Sequence, residues 1–474
     1  MLNNKEFRKY AHEFVDWMAD FMENIEDYPV KSRVAPGDII RQLPENAPEK
    51  GESMDSIFKD FKDIILPGMT HWQSPNFFAY FTANSSYPSV LAEMLTATLG
   101  AQCMIWETSP AAAELEERVM EWLKKMIGLP DFFTGVIQDT ASTSTLVALL
   151  SAREKFSDFN INKRGFKNYL HFRLYCSAET HSSIEKGVKI AGFGKENLVK
   201  VGVDKQMRLD PYKLENAIIE DLSHGMIPLC VIATLGTTGT LTIDPLDKIA
   251  NICRKYKTWL HVDAAFAGTA LLLPEYRQMI KGIEQADSFV FNPHKWMFTN
   301  FDCSAYFVKD KETLIRTFEI MPEYLKTKAD SLVNNYRDWG IQLGRRFRAL
   351  KLWFVIRNYG VQGLQSKIRD HIDWAKKLAR EIEKHVDFEL MIPVTLNVLC
   401  FRYNDGKLGS EVLNRFNEKL MHRVNQTGRA YFTHTKINGQ YTIRMVIGQT
   451  HMEKENVLKA WKLIQDTVDE LKME

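Results

Sequence analysis

Apolar positions near the start of the chain recur at helical spacing. Phe7, Ala11, Phe14, Met18, Phe21 and Ile25 fall on one stripe, which predicts an amphipathic helix over residues 3–26. A second amphipathic stretch covers roughly residues 52–65. Neither run leads at once into a local core, so each stripe needs a partner, in this chain or in a second copy. From about residue 85 to 310 the pattern changes. Leu174–Ser177, Leu229–Thr234, Trp259–Asp263, Ser288–Phe291 and Ser304–Val308 are short, apolar and partly β-branched or aromatic. Helical segments such as Leu115–Met126, Thr145–Glu154 and Pro245–Tyr256 alternate with them. That alternation predicts an α/β fold, a mostly parallel sheet covered by helices, with ligands at the carboxyl ends of the strands. Residues 311–340 show no sustained period and predict a long loop. A helix is expected from about Gly344 to Arg357. Asn358–Glu474 reads as a smaller α+β region with helices near 361–386, 408–425 and 454–472.

The chain has 474 residues, 45% hydrophobic and 26% charged, which suits a soluble protein of two or three domains. Lys plus Arg is 61 and Asp plus Glu is 60, so no global field favours nucleic acid or an anionic membrane. Charge through the first thirty residues argues against a secretory leader, and no apolar run is long enough to span a bilayer. The six cysteines are scattered, without a Cys-x-x-Cys pair, as expected of reduced, buried thiols in the cytoplasm. The 12 histidines lack metal-binding spacing, so no metal is expected.

Two residues carry the chemistry. Lys295 lies in Phe291-Asn292-Pro293-His294-Lys295-Trp296, and Asp263 closes the strand-like run Trp259–Asp263. A surface lysine and a strand-end aspartate are the bland readings. Together they meet the needs of pyridoxal phosphate: an amine to bond the cofactor aldehyde and a carboxylate to keep the pyridine nitrogen protonated. Ala265 is small enough for a flat ring to lie beside it. The run Gln138-Asp139-Thr140-Ala141-Ser142-Thr143-Ser144-Thr145 precedes a helix and either caps it or binds a phosphate there. His181, in the loop after Ser177, is either structural or stacked above a cofactor. Gly236-Thr237-Thr238-Gly239-Thr240 is a turn whose hydroxyls fall at the same sheet edge.

Taken together these segments resemble the group II pyridoxal phosphate-dependent decarboxylases, in particular the aromatic L-amino acid decarboxylases. The likeness also runs through Thr70-His71-Trp72-Gln73-Ser74-Pro75, Phe78-Ala79-Tyr80-Phe81, Ala233-Thr234-Leu235-Gly236-Thr237-Thr238 and Gly344-Arg345-Arg346-Phe347-Arg348. It implies the aspartate-aminotransferase fold (fold type I) with a seven-stranded central sheet and an obligate homodimer. Its divisions would be an N-terminal helical dimerisation segment (1–84), a large cofactor-binding α/β domain (85–357) and a small α+β domain (358–474). It implies that Lys295 bonds the cofactor, Asp263 the ring nitrogen, and that His181 stacks on the ring and contacts the substrate carboxylate. Ala141, Ser142 and Asn292 would bind the phosphate with His294 close by, and Thr238 would lie near the polar edge of the ring. Trp72, Tyr80, Phe81 and Thr82 would line the substrate pocket, and Gly344 would leave room for a large ring. Tyr324 falls where decarboxylases carry a tyrosine that protonates the substrate Cα and aldehyde synthases carry phenylalanine. The activity implied is decarboxylation of an aromatic L-amino acid. The alternatives are an aldehyde synthase, or an aminotransferase with Arg444 as carboxylate clamp. Two departures stand out. Asp139 replaces a common glycine, and Phe81-Thr82-Ala83 replaces the Phe-Pro-Thr of animal dopa decarboxylases.

Overall fold

Seven strands form the main sheet in the computed structural model, which describes residues 2–166, 171–320 and 332–474. They are β1 (Thr134–Gln138), β2 (Phe172–Ser177), β3 (Leu198–Val201), β4 (Ile227–Thr234), β5 (Trp259–Asp263), β6 (Ser288–Phe291) and β7 (Ser304–Val308). Their order is β1-β7-β6-β5-β4-β2-β3. Neighbours from β6 through β3 run parallel, whereas β7 is antiparallel to both β6 and β1. All residues of β5, β6 and β7 are buried, and all of β4 after Ile227. Helices on both faces of a parallel sheet leave no wet side, so these strands read as continuous apolar runs. That is why the five predicted strands were visible. β1 and β3 were not predicted. β1 has only two large apolar residues, and β3 is four residues long and contains Lys200.

Residues 311–340 are not one long loop. Lys311–Phe318 is a helix, capped by Asp310, whose side chain accepts the Thr313 amide at 3.0 Å. Eight residues are too few to show a helical period. The helix expected from Gly344 starts at Arg348 and continues to Lys384, interrupted at Gly360, which has φ +66°.

Contacts divide the chain into two units. One contains the N-terminal segment through Thr82 with Lys377–Met391 and Cys400–Glu474; the other contains Ala83–Lys376 and Ile392–Leu399. In the first unit the helix Asn4–Glu23 is closed by a capping box between Asn3 and Glu6. Its stripe meets the second amphipathic stretch: the Phe14 and Phe58 rings lie 4.4 Å apart, and Trp17 makes edge contacts with Phe58 and Phe61. No residue of that helix is buried, and Phe7 is 60% exposed. A smaller sheet has the order β10-β11-β9-β8: β8 (Phe388–Leu390), β9 (Val398–Tyr403), β10 (Thr433–Ile437) and β11 (Gln440–Val446). No helix among the described residues is long and apolar enough to cross a membrane. The six cysteines are all buried, and none forms a disulfide.

In the second unit, Arg345 is held against the edge of the main sheet. Its guanidinium donates to Glu116 Oε1 at 2.7 Å and to the Ile137 carbonyl at 2.8 Å, and the Ile137 amide donates to the same carboxylate at 2.9 Å. Both side chains are buried. Glu116→Ala strands a buried cation and an amide together, so a loss of about 3–5 kcal/mol is expected. Urea unfolding followed by circular dichroism checks this; an unchanged midpoint would mean that the pair merely offsets its own desolvation.

Candidate active site

Register sets the carboxyl edge of the sheet. Thr234 of β4 lies beside Asp263 of β5, and Asp263 beside Val290 of β6. One residue past β6 comes Asn292, and then the short helix Pro293–Trp296 that carries Lys295. Asp263 is 5% exposed, and its Oδ1 accepts the Ala265 amide at 3.0 Å. Its Oδ2 has no protein hydrogen bond among the described residues. His181 enters from the loop after β2. Burial lowers its pKa although the ring keeps some solvent access; the Lys295 charge lowers it further and Asp263 opposes both. Asp263 closes β5 at the edge where β6 runs on to Lys295, and the parallel strand β2 ends at the same edge before the loop of His181. His181 Nδ1 accepts the Ser183 amide at 3.2 Å and bonds the Ser183 hydroxyl at 2.8 Å. The neutral ring therefore carries its proton on Nε2.

Further polar groups lie at the same edge of the sheet. The helix Ala141–Phe156 is capped by Thr140, which accepts the Thr143 amide at 3.4 Å. The amides of Ala141 and Ser142 have no partner among the described residues, as expected in a first helical turn. Asn292 is 2% exposed, with its Oδ1 unpartnered. His294 is buried and accepts the Cys303 amide on Nδ1 at 2.8 Å, which leaves its proton on Nε2. The turn after β4 holds Gly236 at φ +94°, where a Cβ would lie 2.8 Å from that of Ala267. Its inner hydroxyls bond one another, Thr237 to Thr240 at 2.9 Å and Thr240 to Thr242 at 2.8 Å, while Thr238 stays exposed.

Residues 36–404 match the family described as the pyridoxal-dependent decarboxylase conserved domain. The chain belongs to that family. It is 42% identical to tyrosine decarboxylase 4 of Petroselinum crispum over 484 residues, covering 99% of this chain and 94% of that one. It is also 42% identical to phenylacetaldehyde synthase of Arabidopsis thaliana over 475 residues, covering 98% and 96%. The crystal structure of Oryza sativa TDC with PLP and tryptamine superposes with a TM-score of 0.96 at 34% identity, covering 99% of each chain.

The residues of this decarboxylase fit pyridoxal phosphate. The buried carboxylate with one open oxygen, the two unbonded amides and the orphaned Asn292 amide offer a partner for the ring nitrogen and donors for a phosphate. An amide end is reversed by rotation, so Asn292 can turn its nitrogen to an anion. Asp139 does not oppose this with a bare charge. One oxygen accepts the Thr140 amide at 2.5 Å and the other accepts from Gln342 Nε2 at 2.7 Å. Asn84 is a residue that the sequence did not reveal. Its amide donates to the His294 carbonyl at 3.1 Å, and its side chain donates to the Lys295 carbonyl. It lies 211 residues from Lys295, and no local pattern marks it.

Trp72, Tyr80, Phe81 and Thr82 belong to the first unit. There Trp72 stacks on Phe77 at 4.5 Å and on Tyr80 at 5.6 Å, and Tyr80, with φ +51°, bonds Tyr431 hydroxyl to hydroxyl at 3.2 Å. Arg444, almost wholly buried and pulled down to about 10 by that burial, donates to the Tyr80 carbonyl and lies 4.7 Å over the Phe81 ring. Thr82 is buried with an unpartnered hydroxyl. Gly344 is exposed in the second unit, where a Cβ would meet Gln102 Nε2 at 3.2 Å. Tyr324 lies outside the described residues.

Three histidines of this unit are buried neutral. Burial pushes His261 down to about 4, and His294 and His371 down to about 3. The unfolded chain takes up protons near pH 6.5 and the folded chain does not, so stability falls as pH drops from about 6.5 towards 4. The slope is on the order of 1 kcal/mol per pH unit for each histidine. His371 accepts the Trp296 indole N–H at 3.0 Å, a bond that glutamine can keep. His371→Gln is expected to flatten the loss, measured as the urea midpoint at pH 5 against pH 7. An equal drop in both proteins would show that His371 does not contribute.

Proposed function

We propose that this enzyme removes carbon dioxide from an aromatic L-amino acid and releases the arylalkylamine, with its cofactor on Lys295. The observation that supports the reading is the shared strand edge: β5 ends at Asp263, β6 runs on to Lys295, and β2 runs on to the loop of His181. Bound pyridoxal phosphate supplies an aldehyde for the substrate amine and a ring that takes up electrons as the carboxylate departs. Asp263 holds a proton at the ring nitrogen and Ala265 leaves room for the ring. His181 presents Nε2–H to the substrate carboxylate and covers the ring. The amides of Ala141 and Ser142, with Asn292 and His294, hold the phosphate, and Thr238 lies near the ring's polar edge. Trp72, Tyr80 and Phe81 supply aromatic surface for the substrate side chain, with Thr82 beside them and Gly344 admitting a large ring. Tyr324 returns a proton to Cα.

The aromatic substrate class is supported by the tyrosine decarboxylase relative and the tryptamine-bound neighbour. A second copy of the chain completes the enzyme in this reading. Tyr87, Leu91, Met94, Leu95 and Leu99 are all exposed along one face of the helix Tyr87–Leu99, and Phe7 adds to the uncovered apolar surface. Six buried thiols outside any disulfide suit the cytoplasm.

Lys295→Ala is expected to lose amine formation from a panel of tyrosine, dopa, tryptophan, 5-hydroxytryptophan and phenylalanine, together with the visible absorption of bound cofactor. Near-normal turnover by that variant would reject the reading. A second reading, oxidative conversion to an aldehyde, is favoured by the 42% identity to phenylacetaldehyde synthase and opposed by the hydroxyl of Tyr324. Tyr324→Phe is expected to divert product to aldehyde, ammonia and peroxide. Peroxide already abundant in the unaltered enzyme would instead make it an aldehyde synthase.

A further inference from the structure

Lys295 sits between two residues that are fixed through their side chains. His294 accepts the Cys303 amide on Nδ1 at 2.8 Å. Trp296 donates its indole N–H to His371 at 3.0 Å and stacks on Phe266, with the rings parallel within 3° and 5.1 Å apart. Lys295 cannot be held in that way if its side chain is to stay available for chemistry. Its backbone must be held instead. The helix Pro293–Trp296 does little of this, because in four residues every carbonyl lies at a helix end and needs a donor from outside.

Asn84 supplies those donors. Its backbone N–H donates to the His294 carbonyl at 3.1 Å, and its side-chain amide donates to the Lys295 carbonyl. One residue thus grips two successive peptide groups, the second of them the lysine's own. On the other side of the lysine Cα, the Lys295 amide donates to the Asn292 carbonyl at 2.9 Å. Asn84 is 1% exposed, and only its nitrogen end can face a carbonyl. Its own position is braced two residues further on. The Ser86 hydroxyl donates to the Phe298 carbonyl at 2.7 Å, and the Ser86 amide donates to Ser89 Oγ at 3.1 Å, in the capping box that opens the helix Tyr87–Leu99. The grip on Lys295 therefore comes from an anchored segment and not from a free loop.

We propose that Asn84 is a positioning residue for Lys295, acting through the lysine's main chain to set the direction in which its amine leaves the backbone. The inference rests on the reading of Lys295 as the amine that bonds the cofactor, and adds the residue that aims it. A peptide plane that swings takes the Cα–Cβ direction with it, and a displacement of about 1 Å at a reacting group costs on the order of a hundredfold in rate.

Three variants of the full chain test this, with two readouts besides turnover. One is the rate at which cofactor-free protein gains visible absorption on mixing with pyridoxal phosphate. The other is deuterium uptake by the peptide spanning residues 292–299. Asn84→Ala keeps the main-chain bond and loses the side-chain bond. It is expected to slow cofactor capture about tenfold or more, to raise deuterium uptake in that peptide, and to lower kcat by a larger factor than it changes KM. Asn84→Asp fills the same volume but turns an acceptor towards the carbonyl, so it is expected to lose at least as much where the carboxyl is ionised. Ser86→Ala removes a buried bond of the same kind from Phe298. It is expected to lower the melting temperature about as much as Asn84→Ala while capturing cofactor at nearly the unaltered rate. Normal capture by both Asn84 variants overturns the proposal, and so does equal slowing by Asn84→Ala and Ser86→Ala, which would make the role merely structural. Lys295→Ala separates the two ideas. If it too captures cofactor normally, the reading of Lys295 falls and this inference with it; if it loses the absorption while the Asn84 variants behave normally, this inference alone falls.

Discussion

A carboxylate shut away from water must find positive charge or many hydrogen bonds, or it will not stay ionised. Asp263 has one such bond from the protein, to the Ala265 amide. Its other oxygen is left for a cation that the chain does not itself provide at bonding distance among the described residues. A protonated pyridine nitrogen would meet that need, and the carboxylate would in turn favour the charged nitrogen. The sheet serves this exchange. Strand register fixes where Asp263 ends, the strand after it delivers Lys295 one turn beyond, and the loop after β2 brings in His181.

The central strands were legible because a parallel sheet covered on both faces turns burial directly into uninterrupted apolar runs. Trp259–Asp263, Ser288–Phe291 and Ser304–Val308 have the same bounds in sequence and structure. Asp263 and Lys295 stand out in the sequence for a related reason: one is a charged residue that closes such a run, and the other follows shortly after one. The short strand Leu198–Val201 and the helix Lys311–Phe318 were not, since neither is long enough for a period to emerge. Asn84 was hidden for another reason. Its partners are carbonyl groups, and a backbone acceptor leaves no trace in the identity of residues 294 and 295.

Asp139 illustrates how the fold changes the meaning of a residue. In the sequence it sets a negative charge beside groups suited to a phosphate. In the structure both carboxylate oxygens are occupied, one by the amide that opens the helix and one by Gln342. The acid thus braces the cap and links it to a segment two hundred residues away. The donors that remain for an anion, the amides of Ala141 and Ser142, open the first turn of that helix and come from backbone, so no side-chain substitution short of proline removes them.

Every thiol in this chain is inside: Cys103, Cys176, Cys230, Cys253 and Cys303 in one unit, Cys400 in the other. Desolvation raises the pKa of each, so the folded protein offers almost no thiolate to an electrophile. Maleimide uptake therefore clocks the opening of the molecule rather than any surface chemistry. Because the two units contribute unequal numbers of sulfurs, the mass added at each time point reports which of them has come apart first.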